Sequence, residues 1–172
     1  MRSRPLLALA LAAAFDAFPA LAAVARPTSI EDLARGSAAV VRGTVQRTSP
    51  RWSGDGRRIL TDVEISVAGV WRGSAPDRVV VTVPGGIAGG VGQRVDGAAV
   101  FTEGEEVVAF LARVGDGWTV AGHALGKFRV EGAAARPDLS STEMPRGPLA
   151  PGERTVEPMG LDGLEARVRA AR

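Results

Sequence analysis

Residues 61–67 read Thr-Asp-Val-Glu-Ile-Ser-Val. Val63, Ile65 and Val67 alternate with Asp62, Glu64 and Ser66, the period of a strand with one face on a core and the other in water. A slip of one residue would turn every apolar side chain to solvent, so such a strand has a fixed register and needs partners that cover one face only. The segment 39–46 repeats the pattern, with Val41, Gly43 and Val45 inward and Arg42, Thr44 and Gln46 outward. Between the two, 49–58 holds Pro50, Gly54, Asp55 and Gly56, a hairpin loop by composition. Three further strands follow from the same reasoning: the β-branched run 78–83, then 118–121 after the Gly115-Asp116-Gly117 turn, then 127–131 with Phe128 and Val130 inward. Val107 to Leu111 is apolar on both faces and belongs at the centre of a sheet. The inward row Val63, Ile65 and Val67 is expected to meet Val41, Val45, Val81, Leu111 and Phe128 in one core, with Trp71 and Trp118 also inside.

Helical signals are confined to the ends. Thr28-Ser29-Ile30-Glu31 fits a capping box with Thr28 as the cap, followed by a short helix over 29–35 that Gly36 ends. Residues 132–158 are rich in Ala, Pro, Gly, Ser and Glu without periodicity and read as a solvated linker. Leu161, Leu164 and Val168 then recur at helical spacing, a C-terminal amphipathic helix over 159–172 too short to stand alone. The fold class expected is mainly β: a small antiparallel, OB-like β-barrel over 28–131, with a short N-terminal helix and the C-terminal helix appended. A sandwich is the alternative. Gly43 on an inward face favours the barrel, where a strand must bend or approach another closely.

The first residues carry the marks of targeting. Arg2 and Arg4 form a positive head, 5–15 an apolar run, and Ala20-Leu21-Ala22 a small-x-small cleavage site. This predicts a signal peptide over 1–22, a mature chain starting at or near Ala23, and export to the periplasm or the medium. No apolar run has the roughly 20 residues a membrane span needs. The chain has no cysteine, so neither disulfides nor thiolate metal sites are available and the fold must rest on its apolar core. Net charge is +2, and loss of the leader takes two arginines and one aspartate, leaving +1. The high pI reflects the near-exclusive use of arginine and the absence of tyrosine, so the clustered positive excess of a nucleic-acid binder is not expected.

The stretch from Ala38-Ala39-Val40-Val41-Arg42-Gly43-Thr44-Val45, through 61–73, to Phe101-Thr102-Glu103-Gly104-Glu105-Glu106-Val107-Val108-Ala109-Phe110-Leu111 resembles a group of uncharacterised exported bacterial proteins. It is also similar, more distantly, to the OB-fold domain of tissue inhibitors of metalloproteinases and netrin-type modules, over roughly 38–131. The resemblance implies a five-stranded barrel and a role in binding other proteins. It does not carry the inhibitory mechanism across, because those inhibitors chelate zinc through an N-terminal cysteine.

Several motifs invite chemistry. The run Pro84-Gly85-Gly86-Ile87-Ala88-Gly89-Gly90-Val91-Gly92 suggests a phosphate loop, yet it holds no lysine and no helix is expected after it. The irregular stretch 84–104 is long for a compact domain, which marks it as a contact loop. His123 is the only histidine and shows no metal-ligand spacing. It would be the base of a hydrolase only if a Ser and an Asp from distant strands met it. Asp62 and Glu64 share a strand face and read as solvated. Trp52, in a loop among Pro50, Ser53 and Gly54, is either a binding anchor or a cap folded back on the barrel. The reading is therefore an exported non-enzymatic module that binds another exported protein through Trp52, Gly85, Gly86, Gly89, Gly90 and Arg94, with no catalytic residue, metal or cofactor assigned. The alternatives are an exported hydrolase around His123 and an oligosaccharide-binding OB-type domain.

Overall fold

The computed structural model describes residues 28–139, 141 and 156–171. The expected signal peptide, the Ala23 start and most of the expected linker lie outside the described residues. In chain order the elements are α1 (Ile30–Arg35), β1 (Ala39–Trp52), β2 (Ile59–Gly73), β3 (Arg78–Pro84), β4 (Gly86–Ala88), β5 (Val91–Gln93), β6 (Glu106–Val114) and β7 (Gly117–Val120). A 3-10 turn at His123–Gly126 leads to β8 (Lys127–Glu131), β9 (Ala134–Pro137), β10 (Met159–Gly160) and α2 (Leu161–Ala170).

Five strands close a ring in the order β1, β2, β3, β7, β6 and back to β1. Every junction is antiparallel except β3 to β7, which meet in parallel at Val81 and Trp118. Strand β1 is paired on both edges over its first half, with β2 on one side and residues 106–111 of β6 on the other. Register shifts at Val40/Val41, Arg42/Gly43 and Val45/Arg47 give it the local twist that ring closure requires. Gly43 sits at the second shift, where a Cβ would overlap the Ser66 carbonyl oxygen and lie 2.8 Å from Ile65 Cγ2. The glycine is there because two strands approach too closely for any side chain.

The single core expected from the alternation is two cores. Val41, Val45, Val63, Ile65, Val81 and Leu111 do meet, with Val79, Val83, Val107 and Trp118, inside the ring. Val67 packs at the edge of that cluster. Phe128 does not join it. It pairs with Val108, whose side chain points out of the ring, and so belongs to a second cluster with Val40, Phe110 and Trp71 beneath the two helices. This explains why β6 is apolar on both faces, as its sequence demands: Val107, Ala109 and Leu111 face in, Val108 and Phe110 face out.

The helices cover that outer face. Capping of α1 falls one residue later than the sequence suggests: Ser29 is the cap, reciprocated by Asp32. Ile30, Leu33 and Ala34 pack with Leu161, Leu164 and Val168 of α2. Arg167 of α2 grips Glu31 of α1 in a two-pronged ion pair at 2.7 and 2.8 Å. That pairing holds the Glu31 carboxyl down at about 2, against 4.5 for a free glutamate. The start of the expected linker is also corrected, since residues 134–137 form β9 and pair with β8 on one side and β10 on the other. Ala-Ala-Arg-Pro has little strand propensity, and the exposed edge of β8 supplies the hydrogen bonds that decide it.

Candidate functional site

The stretch 84–104 is less irregular than its glycines suggest. Its first part is a second, two-stranded sheet, β4 with β5, turned at Gly89 and Gly90. Both glycines have positive φ, 60° and 79°, which a two-residue hairpin turn of matching twist requires. The hairpin rests on the projecting end of β1 and β2. A Cβ on Gly86 would overlap Thr61 Oγ1 and lie 3.2 Å from Pro50 Cβ, so only glycine lets the two layers touch. Two hydrogen bonds lock them: the Ile59 amide donates to Gln93 Oε1 at 2.6 Å and the Gly85 amide to the Ile59 carbonyl at 2.8 Å.

This stacking leaves a cleft of about 660 Å³, a volume typical of small-ligand and side-chain pockets. Pro50, Pro84, Ile87, Val95, Ala98, Ala99, Val100 and Phe101 give it an apolar lining. Thr48, Thr61, Gln93, Arg94 and Ser141 add polar atoms. Of the residues singled out from the sequence, Gly85, Gly86 and Arg94 line this cleft. Trp52 stands beside it, its indole nitrogen 3.6 Å from where a Gly89 Cβ would be, and Gly90 faces open space. Trp52 remains 43% exposed, with Ile87 at 71% and Val91 at 48%, so three large apolar side chains stand in water around one hairpin. By contrast, Trp71 and Trp118 are buried, as expected.

Against Val100 and Phe101 of the cleft lining lies a charged cluster that sequence reasoning missed. Lys127, assigned to the first position of a strand with Phe128 inward, is itself wholly buried. It pairs in the sheet with Ala109, an inward residue, so its side chain enters at the mouth of the ring. Its Nζ lies 2.7 Å from Glu105 Oε1 and 3.3 Å from Asp138 Oδ2, donates to the Val100 carbonyl, and sits 4.9 Å from the centre of the Phe101 ring. Arg129 completes the cluster, 3.1 Å from Glu105 and 3.5 Å from Asp138. Ser141 Oγ donates to the Ala98 carbonyl and its own carbonyl accepts from Gly97 at 2.6 Å. Residues 97–101 are thus fastened at both ends, by Ser141 at Gly97 and Ala98 and by Lys127 at Val100. One signal in the sequence pointed here: of the 21 Lys and Arg residues, Lys127 is the only lysine.

The remaining candidates find no shared geometry. His123 lies exposed at the start of the 3-10 turn with φ 57°, and among the described residues no hydrogen bond or ion pair engages its ring. Asp62 is held by Arg51 at 2.6 and 3.2 Å, which lowers its carboxyl below the usual range, and it also accepts from Thr82 at 2.7 Å. Glu64 pairs with Arg78 at 3.0 Å. No group of three or more His, Cys, Asp or Glu able to hold a metal ion occurs among the described residues. None of the described helices is long and apolar enough to cross a membrane. Comparison of the chain with protein-family models, with curated proteins and with solved structures gave no match.

Proposed function

We propose that the protein is an exported, non-enzymatic module that binds another protein, with the five-stranded ring serving as an OB-like scaffold. The observation that carries this reading is the set of exposed apolar side chains Trp52, Ile87 and Val91 standing around a pre-formed cleft. An exposed tryptophan beside aliphatic groups and a pocket is the usual make-up of an interface anchor, because large rigid side chains bury much area at little entropic cost. The OB-like assignment is supported by the ring order, by its one parallel junction and by the double pairing of β1.

The test is crosslinking in the producing cells. A photoreactive benzoylphenylalanine in place of Ile87 should trap a discrete protein partner. The same group in place of Val80, 48% exposed on β3 and absent from the cleft lining, should not. Identical patterns at the two positions, or none at either, would remove the basis of the proposal.

A further inference from the structure

We propose that Lys127 and Asp138 join through an isopeptide bond, with Glu105 as the acid and base of the reaction. The two residues are direct cross-strand neighbours: the register of β8 and β9 runs from Glu131 with Ala134 to Phe128 with Pro137, and the Asp138 amide donates to the Lys127 carbonyl at 3.4 Å. Side chains of such a pair stand side by side, so the fold itself brings amine and carboxyl together. Asp138 Oδ2 lies 3.3 Å from Lys127 Nζ, and Glu105 Oε1 lies 2.7 Å from the same nitrogen. The second distance is within the reach a general base needs. Glu105 is held there by the Thr102 amide at 2.8 Å and by Arg129 at 3.1 Å. Water is kept away: the Lys127 side chain is wholly buried, those of Glu105 and Asp138 are 8% and 13% exposed, and the Phe101 ring lies 4.9 Å from Nζ. Condensation removes one positive and one negative charge from a place where both are costly to keep. In the reaction Glu105 takes a proton from the ammonium and the freed amine adds to Asp138 Cγ. Arg129, 3.5 Å from Oδ2, offsets the negative charge that gathers on the carboxyl. A C–O bond of Asp138 then breaks as the new C–N bond is kept. Two of the three ammonium hydrogens leave with that oxygen as water, the third stays on the amide, and Glu105 ends as the carboxylate it was at the start. The step needs no oxidant, metal or co-reactant, and the scarcity of water opposes hydrolysis. In the unreacted chain the same atoms form the ion pairs described above. The bond ties the end of β9 to β8 in a chain without cysteine, just before Ser141 bonds to Ala98 of the cleft lining.

The experiment is tryptic digestion of the purified, denatured full chain, read by tandem mass spectrometry. An acylated lysine is not a trypsin site and Arg136 is followed by proline, so residues 114–129 and 130–146 should appear as one branched peptide. Its mass should be one water less than that of the two together, with fragments placing the link at Lys127 and Asp138. Asp138→Ala should release the two stretches separately, with cleavage after Lys127. Glu105→Gln keeps both reactants and should lower the linked fraction at least about tenfold, its circular dichroism spectrum showing that it is folded. A parent digest in which the two stretches occur only apart, cut after Lys127, would overturn the proposal. So would a water loss confined to residues 130–146, the mark of a cyclic imide at Asp138. Full linkage in folded Glu105→Gln would overturn the role given to Glu105.

Discussion

Replacing Lys127 by methionine keeps the side chain's length and removes its charge, which isolates what the buried ammonium contributes. In the native fold this side chain is wholly inaccessible, and its Nζ serves Glu105, Asp138 and the Val100 carbonyl. Without it, two carboxylates that are only 8% and 13% exposed must share Arg129. Removing one member of a buried pair costs roughly 3 to 5 kcal/mol, because the survivor is left desolvated and unpaired. Arg129 stays in place at 3.1 and 3.5 Å and its side chain is 44% exposed, so the lower end, about 3 kcal/mol, applies. The Val100 carbonyl adds little, since the residue is 51% exposed and water can replace the lost donor. Arg129→Met, by contrast, leaves the better-placed cation and should cost only about 1 kcal/mol. Adding Glu105→Gln to Lys127→Met removes an orphan charge and should recover about 1 to 2 kcal/mol. The assay is urea unfolding followed by the fluorescence of the buried Trp71 and Trp118. A domain of this size has roughly 5 to 15 kcal/mol to lose, so each step lies within range. If Lys127→Met proved no worse than Arg129→Met, the ammonium would not be what holds this cluster, and the argument for a fixed cleft wall would fail with it.

Two further outcomes follow from the packing. Glu31 has a folded pKa depressed to about 2 by Arg167, so the tie between α1 and α2 contributes fully above the unfolded value of 4.5 and is lost as pH falls from there toward 2. With a third of both side chains in solvent, the loss is worth about 1 kcal/mol. It should be absent in Glu31→Gln, and acid titration of the urea midpoint that gave parallel curves for both proteins would refute it. Alanine at Gly43 and at Gly163 should act in opposite directions. At Gly43 the new methyl meets the Ser66 carbonyl and should cost about 2 to 3 kcal/mol or more. At Gly163, inside α2 with nothing within 4 Å, it should add about 0.5 to 1 kcal/mol. Thermal melts shifting the same way would contradict the close approach of β1 and β2.

The parts of this fold legible in the sequence are those in which a local period reports one environment. Val63 and Ile65 alternate with polar neighbours because β2 has the ring interior on one side and water on the other, and Val107 to Leu111 is continuous because β6 has a core on each side. The same reading failed where a strand changes environment along its length. In β8, Lys127 and Phe128 are adjacent and both buried, one toward the mouth of the ring and one toward the helices, so neither alternation nor a continuous apolar run describes them. The hairpin of β4 and β5 was hidden by its glycines, which lower strand propensity while permitting the contact with Thr61 and Pro50 that creates the cleft. Strand β9 was hidden because its pairing depends on β8, not on its own side chains. For the site, composition drew attention to Trp52 and the glycine run, but the lining from Ala98 to Phe101 comes from residues with no chemical mark at all.

That lining gives the buried cluster its meaning. Ion pairs taken out of water are a poor source of stability, since well-packed hydrophobic side chains of similar volume often do as well or better. A leucine at 127 would fill the space beneath Phe101 but would impose no direction on the backbone above it. The ammonium donates to one carbonyl, Val100, while its partner Glu105 accepts from the Thr102 amide at 2.8 Å as well as from Lys127 and Arg129. Both ends of the segment from Val100 to Glu105 are therefore bonded to the same buried charges. Between them Val100 remains half exposed, and Phe101 lines the cleft while packing against the apolar cluster inside the ring. In a chain without cysteine, directional bonds of this kind are what can hold an irregular apolar segment in place, and they join the buried charges at the mouth of the ring to the surface proposed for binding.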